Sequence, residues 1–154
     1  YVLFALGPTL ERILGHVRFT ALYLLSAVGG AVASYFFSDI TTVSVGASGA
    51  IFGLMGALVV AGRRLRYDVT QVLVLLGINV VIGFLAPGID WRAHLGGLVT
   101  GAVVAAILVH APRKSRAFIQ VAGLGGVLLI LVAVAMLRTS QIQELLAPLG
   151  VITT

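Results

Sequence analysis

Five long stretches without Asp, Glu, Lys or Arg restrict what this chain can fold into. They are separated by short polar segments and cover residues 19–37, 43–62, 69–89, 93–111 and 117–137. Each is long enough to cross about 30 Å of hydrocarbon as a helix, which takes about 20 residues. Because a backbone in lipid must satisfy its own hydrogen bonds, such runs indicate helices. We therefore predict an all-α, polytopic transmembrane helix bundle.

The composition and the two ends of the chain complete this prediction. Only 10% of the residues are charged, whereas a soluble domain has about 25%. The chain has no initiator Met, and residues 1–6 read as the end of an apolar segment whose beginning is missing. We thus expect five complete spans plus the tail of a preceding one. Residues 139–154 are predicted to be an extracytoplasmic tail with a short interfacial helix, stopped by Pro148 and Gly150.

The cations predict the orientation. Eight of the ten Lys and Arg residues fall on one side of the alternating topology, and Arg92 and Arg138 fall on the other. Positively charged loops favour the cytoplasm, so loop 63–66 is predicted to be cytoplasmic and residues 39–44 to lie outside. This arrangement accounts for the net charge of +5 without nucleic acid, which we do not expect as a partner. Contact of loop 63–66 with anionic lipid is a secondary role.

A serine and a histidine lie at matching depths in two of the predicted spans. Ser48 stands just inside the outer end of the second span, and His94 stands just inside the outer end of the fourth. Both spans run inward, so equal offsets give similar depths. A serine near a helix start has free N–H groups and the positive end of the helix dipole close by, which favour a developing oxyanion. We expect Ser48 and His94 to be hydrogen-bonded, or nearly so.

Glycines surround this pair in the sequence. Gly49 and Gly53 on the second span, and Gly97 and Gly101 on the fourth, have the spacing that allows helices to pack closely. Gly46 and Gly49 also allow a tight turn and a close approach to the serine hydroxyl. The sequence therefore predicts that the second and fourth spans are neighbours.

Other interpretations of these polar residues remain open at this point. Ser48 alone is most simply a packing residue in a small-residue helix. His94 alone could be a satisfied polar group, a metal ligand or a proton relay, although an ionisable residue at membrane depth is by default a functional hypothesis. No second histidine or carboxylate stands at ligand spacing, so we predict neither a metal nor a cofactor. Asn79 could hydrogen-bond between helices, and Asp90 could cap the fourth span.

Two motifs resemble those of a known family. Residues 46–53, GASGAIFG, are similar to the GxSG motif of rhomboid intramembrane serine proteases, and residues 93–101, AHLGGLVTG, to their AHxxGxxxG motif. The segment 10–15, interpreted as a loop after the preceding helix, is also similar to bacterial members. The resemblance implies a rhomboid-like bundle: residues 1–112 form a protease core lacking its first two helices, residues 113–138 an additional C-terminal transmembrane helix, and residues 139–154 the tail.

The resemblance also implies a function. Ser48 would be the nucleophile and His94 the general base of a dyad, cleaving transmembrane protein substrates near the outer face of a bacterial plasma membrane. Phe52 matches an aromatic residue that packs on the histidine in many relatives, although a core or lipid-facing Phe is the alternative. In the family, two side chains that help to form the oxyanion hole lie on the span that is missing here. The Ser48 N–H then remains as the oxyanion donor, and Gly46 and Gly49 form the turn that positions it. We therefore expect this piece alone to be inactive.

Two other functions compete with proteolysis. A non-catalytic rhomboid-like protein would bind transmembrane helices for quality control, but the presence of both Ser48 and His94 favours an enzyme. A transporter or channel subunit would be expected to show more intramembrane charge or an internal repeat. The sequence indicates neither the substrate nor the oligomeric state.

Overall fold

The computed structural model describes residues 2–42, 44, 46–86 and 88–149. Within these residues the chain forms six α-helices and two single 3₁₀ turns, with no strand, so the all-α prediction is confirmed. The helices are α1 (Val2–Leu14), α2 (His16–Phe37), α3 (Ser48–Leu65), α4 (Thr70–Leu85), α5 (Trp91–His110) and α6 (Arg116–Leu146). The 3₁₀ turns are Arg113–Ser115 and Ala147–Leu149.

Four of the described helices are long and apolar enough to cross a membrane, namely α2, α3, α5 and α6 with the turn before it. α4 is also apolar but has 16 residues, about 24 Å at 1.5 Å per residue. It is shorter than the span predicted at 69–89. The helix begins where the Asp68 carboxylate accepts a hydrogen bond from the Thr70 N–H at 2.8 Å. The five predicted complete spans are therefore four long helices and one shorter helix.

Residues 10–14 belong to α1, so the prediction of a loop there was wrong. Leu10 and Leu14 are buried in an apolar core shared with α2, α3 and α5. This burial keeps the segment helical although Glu11 and Arg12 interrupt the apolar run. Gly15 then takes a φ of 83°, a conformation that glycine adopts readily, and α2 begins at the next residue.

Close backbone contact joins two of the central helices, α3 and α5. A Cβ atom added to Gly97 of α5 would overlap the carbonyl oxygen of Gly49 on α3, and one added to Gly101 would overlap the backbone of Gly53. One added to Gly49 would lie 3.1 Å from the carbonyl oxygen of Ala93. α3 and α5 are thus in direct backbone contact at two successive helical turns, the arrangement that small residues allow in membrane helices.

α6 lies on the outside of the bundle and is attached near both ends of its apolar part. Near one end, Arg18 of α2 donates to the side-chain oxygen of Gln120 at 2.9 Å, and Gln120 donates to the carbonyl of Leu108 on α5 at 2.9 Å. Near the other end, Arg138 donates to the carbonyl of Ser38 at 3.2 Å. Gln120 is buried, while most of the described side chains of α6 are exposed.

The segment after residue 138 continues α6. The helix extends to Leu146, and its backbone passes position 139 without a break, so a separate interfacial helix was a wrong expectation. The Thr139 hydroxyl donates to the carbonyl of Ala135 within the helix at 2.9 Å. Pro148 falls in the 3₁₀ turn after α6, and Gly150 lies outside the described residues.

The two ends of the bundle differ in charge. Arg12 of α1, Arg64 of α3 and Arg116 of α6 line one cavity, so three of the cations assigned to one side of the membrane do lie at one end. Arg92 lies at the opposite end, in the cavity that Ser48 and His94 share.

Candidate functional site

A cavity of about 430 Å³ lies where α3 and α5 begin. Ser48 and His94 both line it, so the two residues predicted to share a depth share one cavity. Most of the other lining residues are polar, which lets the cavity hold water. They are Ser38, Thr42, Ser44, Gly88, Ile89, Asp90 and Arg92.

Ser48 is the first residue of α3. The first described backbone bond of this helix is donated by Ile51 to the carbonyl of Ala47, at 3.1 Å. The N–H groups of the first turn therefore have no acceptor within the helix. Gly46 precedes the turn with a φ of 148°, which favours glycine. A Cβ atom there would lie 3.6 Å from the Ser48 Oγ, an ordinary contact, so position 46 needs glycine for its backbone conformation and not for space.

His94 is held by the N-terminal cap of α5. The Asp90 Oδ1 accepts hydrogen bonds from the N–H groups of Arg92 and Ala93, both at 3.1 Å, which confirms the predicted cap. The N–H of His94 then donates to the carbonyl of Asp90 at 3.2 Å. The Asp90 cap thus stabilises the first turn of α5, which carries the His94 side chain.

Asp90 brings negative charge to this end of the bundle. Burial raises the pKa of its carboxyl, but nearby Ser34 and Ser44 hydroxyls and the two capping N–H groups lower it by more, so the pKa lies below its ordinary value. Asp90 is therefore a carboxylate at neutral pH. Its Oδ2 is buried and has no hydrogen-bond partner among the described residues.

The His94 ring packs on Phe52. Their centroids are 4.2 Å apart and their planes 10° from parallel. Phe52 is one helical turn beyond Ser48, so Ser48 and the stacked ring share one face of α3. On another side, a Cβ atom at Gly83 of α4 would lie 3.3 Å from the His94 Nδ1. This Nδ1 is buried without a hydrogen-bond partner in the described part of the chain, so the imidazole has contacts from two helices and little room to turn.

No hydrogen bond joins Ser48 to His94 in the part of the chain that the structure describes. We predict a pair that is hydrogen-bonded or nearly so; the hydrogen bond itself is absent among the described residues, and both side chains line one cavity. What the fold provides is a common cavity, a shared helix face through Phe52, and helix starts that point the same way.

Trp91 lies beside the cavity, at the start of α5. Its ring stacks on Phe84 of α4 with centroids 5.0 Å apart, and the Arg92 guanidinium carbon lies 5.0 Å from the ring centroid. An aromatic ring between an apolar neighbour and a cation suits the membrane interface.

Asn79 bonds within its own helix. Its side-chain amide donates to the carbonyl of Leu75 at 2.8 Å, and no bond from Asn79 to another helix is found among the described residues.

The sequence interpretation missed the hydroxyl residues that complete the cavity. Ser38, Thr42 and Ser44 come from the segment between α2 and α3. A signal was present, because residues 38–44 hold four hydroxyl side chains between two apolar spans.

Comparisons with known proteins show the family to which this chain is similar. The Rhomboid domain family model matches residues 1–111. Rhomboid protease GluP of Bacillus subtilis is 40% identical over 111 residues, covering 69% of this chain and 22% of that protein. RHOMBOID-like protein 4 of Arabidopsis thaliana is 36% identical over 116 residues, covering 70% and 29%. Rhomboid protease AarA of Providencia stuartii is 29% identical over 143 residues, covering 74% and 50%.

The matched part spans about a fifth to a half of the length of these three relatives. No solved structure matches the chain.

Proposed function

This chain belongs to the rhomboid family, whose domain model matches residues 1–111, and from that premise we propose that the full-length protein acts as an intramembrane serine protease. Ser48 is the nucleophile and His94 the general base. The substrates are transmembrane protein helices, cut near the membrane face at which α3 and α5 begin.

One observation carries the proposal. Ser48 and His94 line the same polar cavity, while the His94 ring is stacked on Phe52 from the helix that carries Ser48. A nucleophile and a base must be within reach of one another and of water, because hydrolysis of the acyl-enzyme needs a water molecule. The hydroxyl-lined walls provide a place for that water within an apolar bundle.

Two proton transfers follow from the site. The Ser48 Oγ attacks the scissile carbonyl carbon and gives its proton to His94. The proton passes to the leaving amine as the carbon–nitrogen bond breaks. The His94 Nδ1 is buried near Gly83, so Nε2 accepts and returns the proton. A water molecule then gives a proton to His94 and attacks the acyl carbon. The bond from that carbon to the Ser48 Oγ breaks, and His94 returns the proton to Ser48.

The start of α3 supports the charge that develops on the carbonyl oxygen. The Ser48 N–H belongs to the first turn, which has no acceptor within the helix, and the positive end of the helix dipole lies there. A preorganised donor of this kind contributes about 10²–10³ in rate.

The proposed location follows from the charges. The end of the bundle with Arg12, Arg64 and Arg116 faces the cytoplasm, and the cavity of Ser48 opens to the extracytoplasmic side. The membrane is a bacterial plasma membrane, and GluP and AarA are bacterial relatives.

The test is cleavage of a single-span reporter substrate by the full-length protein. Ser48→Ala and His94→Ala should each lower the rate by at least about a thousandfold, because removing one member of such a catalytic unit costs about as much as removing both. Ser140→Ala and His110→Ala are matched controls, because both residues are exposed and neither lines the cavity. A serine-directed phosphonate should label the wild-type protein, Ser140→Ala and His110→Ala, should not label Ser48→Ala, and should label His94→Ala far more slowly, because the Ser48 hydroxyl needs its base to react.

Cleavage that survives in Ser48→Ala would place the nucleophile elsewhere. A wild-type protein that binds the reporter but neither cleaves it nor takes up the phosphonate would support the non-catalytic alternative.

A further inference from the structure

A larger cavity, of about 930 Å³, lies at the end of the bundle opposite Ser48. Arg12 of α1, Arg64 of α3 and Arg116 of α6 line it, so three separate helices each bring one guanidinium. The remaining walls are mainly apolar and come from α1, α3, α4 and α5. They include Leu6, Ile13, Leu58, Val72 and Val109.

These three arginines have no acidic partner in the described residues. The one ion pair found there joins His16 to Glu11. Asp68 also lines the cavity, and its Oδ1 accepts the Thr70 N–H at the start of α4. With three arginines and this one carboxylate, the cavity keeps an excess of two positive charges.

Arg12 is partly oriented by the protein itself. Its Nε donates to the carbonyl of Pro8 at 3.1 Å, and the four other N–H groups of the guanidinium remain for a ligand. The cavity therefore has strong donors that no described side chain satisfies.

The combination of cations and apolar walls selects the ligand. A small inorganic anion would meet the guanidinium groups but would leave the apolar walls in contact with water. An apolar molecule would leave three cations unmatched. An amphiphile with a phosphate head matches both, and basic pockets between membrane helices are known to bind anionic lipid head groups.

We propose that this cavity is a binding site for an anionic phospholipid of the leaflet at that end of the bundle. The phosphodiester is held by Arg12, Arg64 and Arg116, and the acyl chains lie along the apolar walls. A lipid bound there links α1, α3 and α6 and stabilises their arrangement. The site is at the opposite end from the proposed protease cavity and does not depend on that activity.

The experiment measures binding of dihexanoyl phosphatidylglycerol to the purified protein in a neutral detergent. A micelle of this kind has no extended anionic surface, so general attraction to a charged membrane does not contribute. Changing all three arginines, Arg12→Gln, Arg64→Gln and Arg116→Gln, should weaken binding at least tenfold, about 1.4 kcal/mol.

The matched control removes the same charge from the same end of the bundle. Arg63→Gln, Arg113→Gln and Lys114→Gln change three exposed cations that do not line the cavity, and affinity should stay within about twofold, since exposed charges that make no direct contact contribute little. A fourth variant, Thr9→Trp, keeps every charge and fills the cavity from α1, and it should also weaken binding at least tenfold.

Further ligands distinguish the possible occupants. Dihexanoyl phosphatidylcholine should bind at least tenfold more weakly, and inorganic phosphate should not compete at millimolar concentration. Equal loss in both triple variants would overturn the proposal in favour of diffuse charge. Competition by phosphate alone would replace the lipid with a small anion, and unchanged binding in Thr9→Trp would move the ligand out of the cavity.

Discussion

At the scale of single residues, the environment of His94 is set by its neighbours on other helices. The stacked Phe52 ring, at 4.2 Å between centroids, and the backbone at Gly83 leave the imidazole little rotational freedom. A base that is already oriented loses less entropy on reaching the transition state. Phe52 is therefore a positioning residue in the proposed reaction, because it acts through His94.

Replacing Phe52 by Leu should lower kcat by about two- to tenfold and leave KM nearly unchanged. A stacked aromatic pair is worth about 0.5–1.5 kcal/mol beyond its buried area, and Leu keeps most of the burial. The measurement is steady-state cleavage of the reporter, with thermal unfolding recorded for each variant.

Phe19→Leu is the matched control for this substitution. Phe19 packs against the apolar core on α2 and does not line the cavity of Ser48. If both variants lose the same activity in proportion to their loss of stability, Phe52 is only a core residue.

At the scale of helices, the contact between α3 and α5 determines where the two halves of the proposed dyad sit. Ser48 lies at the start of α3 and His94 in the first turn of α5. The backbones touch at Gly49, next to Ser48, and at Gly97, about one turn beyond His94. Any residue that separates these backbones also separates the serine from the histidine.

Gly97→Ala should lower the free energy of unfolding by about 1–3 kcal/mol, because the new methyl group overlaps the carbonyl of Gly49 and forces the helices apart. Equilibrium unfolding in mixed micelles measures this change. Activity should fall further than the stability loss explains, since the distance between Ser48 and His94 increases.

Gly125→Ala makes the same chemical change in open space on α6, where an added Cβ atom meets nothing within 4 Å. Its stability should be unchanged or slightly raised, since Ala favours a helix over Gly by about 1 kcal/mol. Equal destabilisation by the two substitutions would contradict the close contact.

The sequence predicted the central helices well because lipid requires long uncharged helical segments. It predicted two helix ends poorly for a related reason. Charged residues in the sequence indicate where the hydrocarbon region of the membrane ends. A helix can continue beyond that boundary into water, so its end does not coincide with the first charge. Glu11 and Arg12 were interpreted as a loop but lie within α1, and α6 continues through polar residues to Leu146.

The site was predictable in part. The matching depths of Ser48 and His94 follow from counting residues along two parallel spans, and they do share a cavity. The four hydroxyl residues in 38–44 indicate a polar segment, but not that Ser38 and Thr42 line the cavity, because the conformation of the segment between α2 and α3 depends on tertiary contacts that leave no periodic pattern.

At the scale of the whole molecule, the two ends of the bundle differ in their cavities. One cavity is lined by three arginines, and the other by hydroxyl groups together with Asp90 and Arg92. This polarity gives the orientation a direct test.

The chain contains no cysteine, so single substitutions report accessibility without background. Arg64→Cys should react with a membrane-impermeant thiol reagent only from the cytoplasmic side, and Thr42→Cys only from the outside. Both positions are exposed, which makes them a matched pair. Labelling of Arg64→Cys in intact cells would reverse the orientation and move the cavity of Ser48 to the cytoplasmic face.

The two attachments of α6 also define a length. Gln120 and Arg138 are 18 positions apart, about 27 Å along a helix, while a bilayer has about 30 Å of hydrocarbon. The polar bonds at Gln120 and Arg138 thus lie about one membrane thickness apart, each near one end of the apolar part of α6. Because α6 is bonded to α2 near one end and to the residue after α2 near the other, we expect the two helices to tilt together. In a bilayer of different thickness, the whole bundle would then change its tilt, and not α6 alone.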